Sequence, residues 1–181
     1  INCIDYKTKK ITRFYPKSIN KECTTNIINR LLKHSDGNVY AFCNRSVFKC
    51  SMNQTVETVF PDIAIPSPTY SVAQAPDKDI YIGTESNGLY IYSENWKLKK
   101  HVPIDGIIAT ILPDNNGDIW LGLDETGICL FNKNKQTFTW LHKDNTNLNN
   151  NSIRTFVSYG DSSILVGTFR GLNILNKKEL T

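Results

Sequence analysis

The sequence predicts an all-β chain: four-stranded antiparallel sheets forming about four blades of an incomplete β-propeller. Three observations predict it. First, Asp79–Leu89 (DIYIGTESNGL), Asp118–Ile128 (DIWLGLDETGI) and Ser163–Leu172 (SILVGTFRGL) are variants of one sentence, with a worn copy at Asn38–Val47 (NVYAFCNRSV). Second, the anchor position falls at Phe42, Gly83, Gly122 and Gly167, so successive copies lie 41, 39 and 45 residues apart. A period of about 40 with several short strands per unit is a blade signature. Third, no segment combines helical periodicity with helix caps.

Each unit divides into four strands, A to D. Strand A is apolar and variable: Ile27–Leu32, Tyr70–Ala73, Ile107–Leu112 and Ile153–Val157. A turn follows, as in Ser35-Asp36-Gly37 and Asp114-Asn115-Asn116-Gly117, where Asp, Asn and Gly supply local caps and positive φ. Strand B is the aromatic or aliphatic run ending at the anchor: Val39–Phe42, Ile80–Gly83, Ile119–Gly122 and Ile164–Gly167. The anchor glycine suits a place where a neighbouring backbone comes close or the strand bends. Strand C is Leu89–Tyr92, Ile128–Phe131 and Leu172–Leu175, and strand D is Lys97–Val102 and Thr137–Leu141. Strands A to C read as apolar runs rather than alternations, which predicts sheets buried on both faces.

The units are placed at 27–60, 69–103 and 107–142. Residues 1–15 (INCIDYKTKKITRFY) read as strands C and D of a first partial blade, and 153–176 as strands A to C of a final one. A chain that starts and stops inside the pattern is expected to be a piece of something longer, or to associate with its missing part or a second copy, because open sheet edges and faces need covering.

Bulk properties narrow the function classes. The 181 residues carry 40% hydrophobic and 21% charged residues, and no apolar run is long enough to span a membrane or form a signal peptide. Of the net charge of +4, much gathers at Lys7, Lys9, Lys10, Lys97, Lys99, Lys100, Lys133, Lys135, Lys177 and Lys178, read as turns between strands C and D. The simplest reading is a solvated basic rim; no aromatic pattern accompanies it, so a nucleic-acid partner is not expected. Five cysteines lack metal-ligand spacing. Cys3, Cys50 and Cys129 fall in third strands and read as buried free thiols. Cys43 and Cys50 are out of register for a disulfide, and Cys23 lies in a loop without an assigned role.

Chemistry-bearing patterns are sparse. His34, His101 and His142 lie in different units, and GxSxG, HExxH and Gly-rich phosphate motifs are absent. Asp114–Asp118 lacks the spaced ligands of a calcium loop, so no metal and no cofactor is expected. The B–C connections carry the candidate ligand-binding residues Arg45, Glu85, Asn87, Asp124, Glu125, Phe169 and Arg170. Phe169 beside Arg170 offers an aromatic face for sugar C–H groups and a guanidinium for hydroxyls or carboxylates. Trp120 and Trp140 read as packing residues.

The connector Lys143–Ser152 (KDNTNLNNNS), with DNNGDIWLGLDETGICLFN and VGTFRGLNILN, resembles the two-component regulator propeller repeat. Phe42 in place of glycine and Leu123 in place of the usual threonine depart from that pattern. The resemblance implies a periplasmic, ligand-sensing part of a membrane-anchored hybrid two-component sensor histidine kinase. It further implies response to an oligosaccharide or other small molecule, with the kinase elsewhere in the parent chain and no enzyme activity in this region. Two alternatives remain: a secreted propeller enzyme acting on polysaccharide (a lyase or glycosidase), with Glu85, Asp124 and Glu125 as its carboxylates, or a structural interaction scaffold.

Overall fold

Apolar runs separated by Asp, Asn and Gly turns form the strands of the computed structural model, which describes residues 2–13, 27–43, 47–51, 56–58 and 65–180. Arg45 and Cys23 lie outside the described residues. Strands among these residues are β1 (Asn2–Ile4), β2 (Ile11–Arg13), β3 (Arg30–Lys33), β4 (Val39–Phe42), β5 (Val47–Cys50), β6 (Val56–Thr58), β7 (Thr69–Gln74), β8 (Ile80–Thr84), β9 (Leu89–Tyr92), β10 (Leu98–Val102), β11 (Ile108–Pro113), β12 (Asp118–Leu123), β13 (Gly127–Asn132), β14 (Thr137–Leu141), β15 (Ile153–Tyr159), β16 (Ser163–Thr168) and β17 (Gly171–Asn176). One turn of 3-10 helix, Lys177–Leu180, follows β17. None of the helices described is long and apolar enough to cross a membrane.

The strands form antiparallel sheets in sequence order: β1–β2, then the four-stranded β3–β6, β7–β10 and β11–β14, then the three-stranded β15–β17. The architecture is all-β, made of blades of an incomplete propeller. The chain divides into two compact units, Ile1–Thr69 and Tyr70–Thr181.

In the first unit, Ala41, Cys43, Phe48 and Cys50 form a small core. Phe42 is fully buried at the position glycine holds elsewhere. The β4–β5 register pairs Val39 with Cys50 and Phe42 with Val47, which leaves Cys43 and Cys50 as free thiols. Cys3 corrects the expectation of burial. It is exposed, as are Ile4, Tyr6 and Ile11, because β1 and β2 form only a two-stranded ribbon.

In the second unit, β8, β9 and β12 are buried along their whole length, as their unbroken apolar runs require. Tyr81, Leu89 and Ile91 of one sheet pack on Ile108, Ile119, Leu121 and Phe131 of the next. One repeat later, Trp120, Ile128 and Leu141 pack on Ile153, Ile164 and Val166. Burial pushes the Cys129 thiol up to about 12, so this cysteine is a packing residue rather than a nucleophile.

The anchor glycines correct a detail of the sequence reading. A Cβ on Gly83 would stand 2.6 Å from Ile108 Cγ2, and one on Gly122 would stand 2.5 Å from Ile153 Cγ2. What comes close is therefore side chains, the first isoleucine of the following sheet together with Ser71 or Thr110 of the same sheet, not a backbone. Each glycine is a slot for that isoleucine, and the slot fixes how one sheet seats on the next.

The connector owes its asparagines to backbone capping. Asn145 Oδ1 accepts from the His142 amide at 2.6 Å, its Nδ2 donates to the Trp140 carbonyl at 3.0 Å, and Asn151 Oδ1 accepts from the Lys143 amide at 2.8 Å. Leu148 is the connector's buried anchor, within the second of these cores.

Two further expectations change. Burial on both faces fails in the last sheet, where Leu172 and Ile174 are 63% and 67% exposed and Val157 and Tyr159 are exposed as well. Their counterparts one repeat earlier, Ile128 and Leu130, face a following sheet; among the described residues nothing covers this one. The lysines are not all turn residues either: Lys99 and Lys100 lie within β10, and Lys177 and Lys178 in the 3-10 turn.

Three of these lysines, Lys99, Lys133 and Lys177, are held in ion pairs. Lys133 crosses to the preceding sheet and pairs with both Asp77 and Asp79, the latter at 2.6 Å, and Lys99 pairs with Asp79 at 2.6 Å. One repeat on, Lys177 pairs with Asp114 at 2.8 Å. Burial pushes the Asp77 and Asp114 carboxyls up, but the hydrogen bonds and charge of Lys133 and Lys177 together with the backbone amides of Asp79 and Asn115 outweigh it and hold both below the usual carboxylate range. Their contribution is complete above the ordinary carboxylate pKa of ~4 and is lost as pH falls through the lowered folded values. Thermal midpoints recorded from about pH 5 down to about pH 2 should fall, and less steeply in Asp77→Asn/Asp114→Asn. Identical slopes in variant and parent would remove these pairs from the account.

Candidate functional site

The tight turns between second and third strands place their residues at one end of each sheet, opposite the lysine–aspartate pairs. In the β12–β13 connection, Glu125 takes φ of +65° and is exposed. The Asp124 amide donates to the Ile107 carbonyl at 3.0 Å, and Thr126 Oγ1 donates back to the Asp124 carbonyl at 3.3 Å. His142 Nδ1 lies 2.8 Å from the Thr126 carbonyl, so that ring nitrogen carries its proton there and is committed to the turn.

Arg154, the second residue of β15, reaches across to this connection. Its Nη1 donates to Asp124 Oδ2 at 3.0 Å, while its guanidinium carbon stands 5.5 Å over the Phe169 ring centre. Phe169, in the β16–β17 connection, is 69% exposed, with its amide donating to the Ser152 carbonyl at 2.9 Å. Ser152 ties the two connections together, because its Oγ also accepts from the Glu125 amide at 3.2 Å. The result is an exposed aromatic face beside a guanidinium held by a carboxylate, built across two adjacent sheets.

The structure thus brings together Asp124, Glu125 and Phe169. Arg170 adjoins them through the chain. Its backbone is held by Thr168 Oγ1 and Asn149 Nδ2, and its guanidinium makes no ion pair among the described residues. Glu85 is exposed on the preceding sheet. Asn87 is a turn residue there: its amide donates to Thr84 Oγ1 at 2.9 Å and its carbonyl accepts from His101 Nε2 at 2.6 Å. Neither is in contact with the Phe169 group. Trp120 is buried, as a packing residue should be; Trp140 is half-buried and packs against the first core.

Arg154 is the member of this cluster that sequence reasoning missed. Its signal was visible as the one arginine in a strand read as uniformly apolar, at the position where the two preceding repeats have Tyr70 and Ala109. Its partner Asp124 is 30 residues away, so only the stacking of sheets reveals the pair.

This surface presents an aromatic face and guanidinium donors, groups suited to stacking and hydrogen bonding. It does not present a paired acid and base, since Asp124 is bonded to Arg154 and His142 is turned into the loop. Among the described residues no three His, Cys, Asp or Glu side chains converge in a metal-holding arrangement.

No family model matches the chain, and no curated protein matches it. Solved structures do. The extracellular domain of BT3049 from B. thetaiotaomicron, assigned as a hybrid two component system, is 25% identical with a TM-score of 0.75, over 98% of this chain and 24% of that one. The extracellular domain of BT4673 from the same organism is 18% identical with a TM-score of 0.77, over 96% of this chain and 24% of that one. Virginiamycin B lyase from Staphylococcus aureus is 17% identical with a TM-score of 0.66, over 97% of this chain and 62% of that one. The chain spans about a quarter of the length of the two B. thetaiotaomicron domains it matches.

Proposed function

We propose that this chain is a non-enzymatic, ligand-sensing portion of the extracytoplasmic propeller of a membrane-anchored hybrid two-component sensor, and that its ligand is an oligosaccharide. The observation that carries the sensor reading is the likeness to the BT3049 extracellular domain over almost the whole chain. The ligand class rests on the exposed Phe169 ring with Arg154 over it and Arg170 next to it in the chain. Aromatic faces take sugar C–H groups, and guanidinium and carboxylate groups take hydroxyls. Signalling across the membrane would follow if the ligand favours one placement of Asp124 relative to Phe169, since the two lie on different sheets. The exposed face of the last sheet supports a companion proposal, that a sheet of the parent propeller or of a second copy packs there.

The lyase likeness, at 17% identity, shows the fold alone. It keeps the enzyme reading as the alternative, and turnover of a polysaccharide that survives in the wild type but not in Asp124→Asn or Glu125→Gln would favour it.

The test is calorimetric titration of the chain with a panel of oligosaccharides. Saturable binding that weakens about tenfold in Phe169→Ala, the loss of ~1.4 kcal/mol, is the expected result. A panel without any binder removes the oligosaccharide and leaves a scaffold.

A further inference from the structure

The opposite end of the same junction holds a feature that the repeat itself makes unusual. Where β7–β10 meets β11–β14, the space between successive A–B turns is a small pocket of about 110 Å³, lined by Lys133 on its way to Asp77 and Asp79. At the equivalent place one repeat later, between β11–β14 and β15–β17, the space is an open cleft of about 920 Å³. Sites for small ligands run to roughly 300–1,000 Å³.

One substitution between the repeats and one changed set of hydrogen bonds accompany the widening. Asp77 is replaced by Asn116, which bears no charge for a lysine to grip. Asp79 is replaced in kind by Asp118, but Asp118 is already engaged within its own sheet, by Asn116 Nδ2 at 2.8 Å and Asn132 Nδ2 at 2.7 Å. Lys177, the counterpart of Lys133, therefore crosses at the single point Asp114. Across the mouth, the Asn115, Ser158, Asp161 and Ser162 side chains make no hydrogen bond with any described residue, and buried Trp120 lies at the floor with its Nε1–H aimed at Asp114 Oδ2 at 3.4 Å.

We propose that this cleft is a binding site for a neutral, hydroxyl-rich molecule of mono- to disaccharide size, separate from the Phe169 surface and independent of the sensor reading. Its charges argue for neutrality. Lys177 and Asp114 are paired, Asp118 is capped by two amides, and Asp161 and Lys178 carry opposite signs, so neither an anion nor a cation finds an unopposed field. What remains is an amide, two hydroxyls and a carboxylate, whose paired donors and acceptors match vicinal hydroxyls. A ligand here would bridge two sheets across a seam closed by one ion pair where its neighbour has two.

Saturation-transfer NMR and calorimetry on the 181-residue chain, with maltose, cellobiose and chitobiose as probes to ~10 mM, test it, since a Kd of ~1 mM corresponds to about 4 kcal/mol. The expected result is binding of at least one probe that falls about tenfold in Asn115→Ala/Asp161→Ala and is unchanged in Phe169→Ala. Both replaced residues are exposed, and circular dichroism checks that the variant stays folded. Absence of binding by every probe overturns the proposal. So does binding that survives the double variant but is lost in Phe169→Ala, which would support the Phe169 surface instead.

Discussion

Gly127→Ala should destabilise the chain by about 3 kcal/mol, roughly a 10 °C drop in thermal midpoint for a domain of this size. Gly127 opens β13 with φ of +93°, and an added Cβ would overlap the Leu141 carbonyl oxygen and stand 3.1 Å from His142 Nδ1. Neither neighbour can yield: the carbonyl belongs to the end of the adjacent strand, and the imidazole is bonded to Thr126. The Gly127 amide also donates to the Asn151 carbonyl at 2.8 Å, so a shift here would pull on the connector and the next sheet. Gly160→Ala is the control. Gly160 has φ of +61° but open space around it, so it should lose only the conformational strain, about 1 kcal/mol. Equal losses in a denaturant titration of the two variants would show that the contact with Leu141 costs nothing.

The second large effect is expected at Ile153→Ala, a loss of about 3–4 kcal/mol. Ile153 is fully buried and its Cγ2 occupies the slot over Gly122, so truncation empties the place where two sheets interlock. The pairing makes a double-mutant cycle decisive. Gly122→Ala alone forces a methyl against Ile153 Cγ2 at 2.5 Å and Thr110 Cγ2 at 2.6 Å and should be destabilising. With Ile153 truncated, the methyl enters the vacated space, though Thr110 limits the relief. The combined loss should fall short of the sum by more than 0.5 kcal/mol. Strict additivity would mean that slot and plug do not communicate.

How far these features were legible in the chain follows from the range of the interaction behind each. The turns read directly, because Asp, Asn and Gly act within a few residues: Asp118 N donating to Asn116 Oδ1 at 3.0 Å is a local Asx contact that the sequence DNNGD announces. Asp124, Glu125 and Phe169 were recognisable as connection residues for the same reason. The lysines were recognisable only as a charge cluster. The carboxylate partners of Lys133 and Lys177 stand in the preceding repeat, 56 residues back for Lys133 with Asp77, so part of a rim that looked basic is paired.

By itself, then, the amino-acid sequence determined the repeat, the all-β class, the hairpin turns and the chemical types available at each connection. Those depend on short unbroken apolar runs and on backbone conformations that single residues specify. The tertiary structure alone decided that Arg154 bridges Asp124 and Phe169, that Ile153 plugs Gly122, that Cys3 is exposed, and that one junction leaves about 110 Å³ while its copy leaves about 920 Å³. The reason is that a repeat writes each sheet almost identically, whereas the seams between sheets are set by side chains some 30 to 60 residues apart, where one Asp-to-Asn difference changes which charges meet.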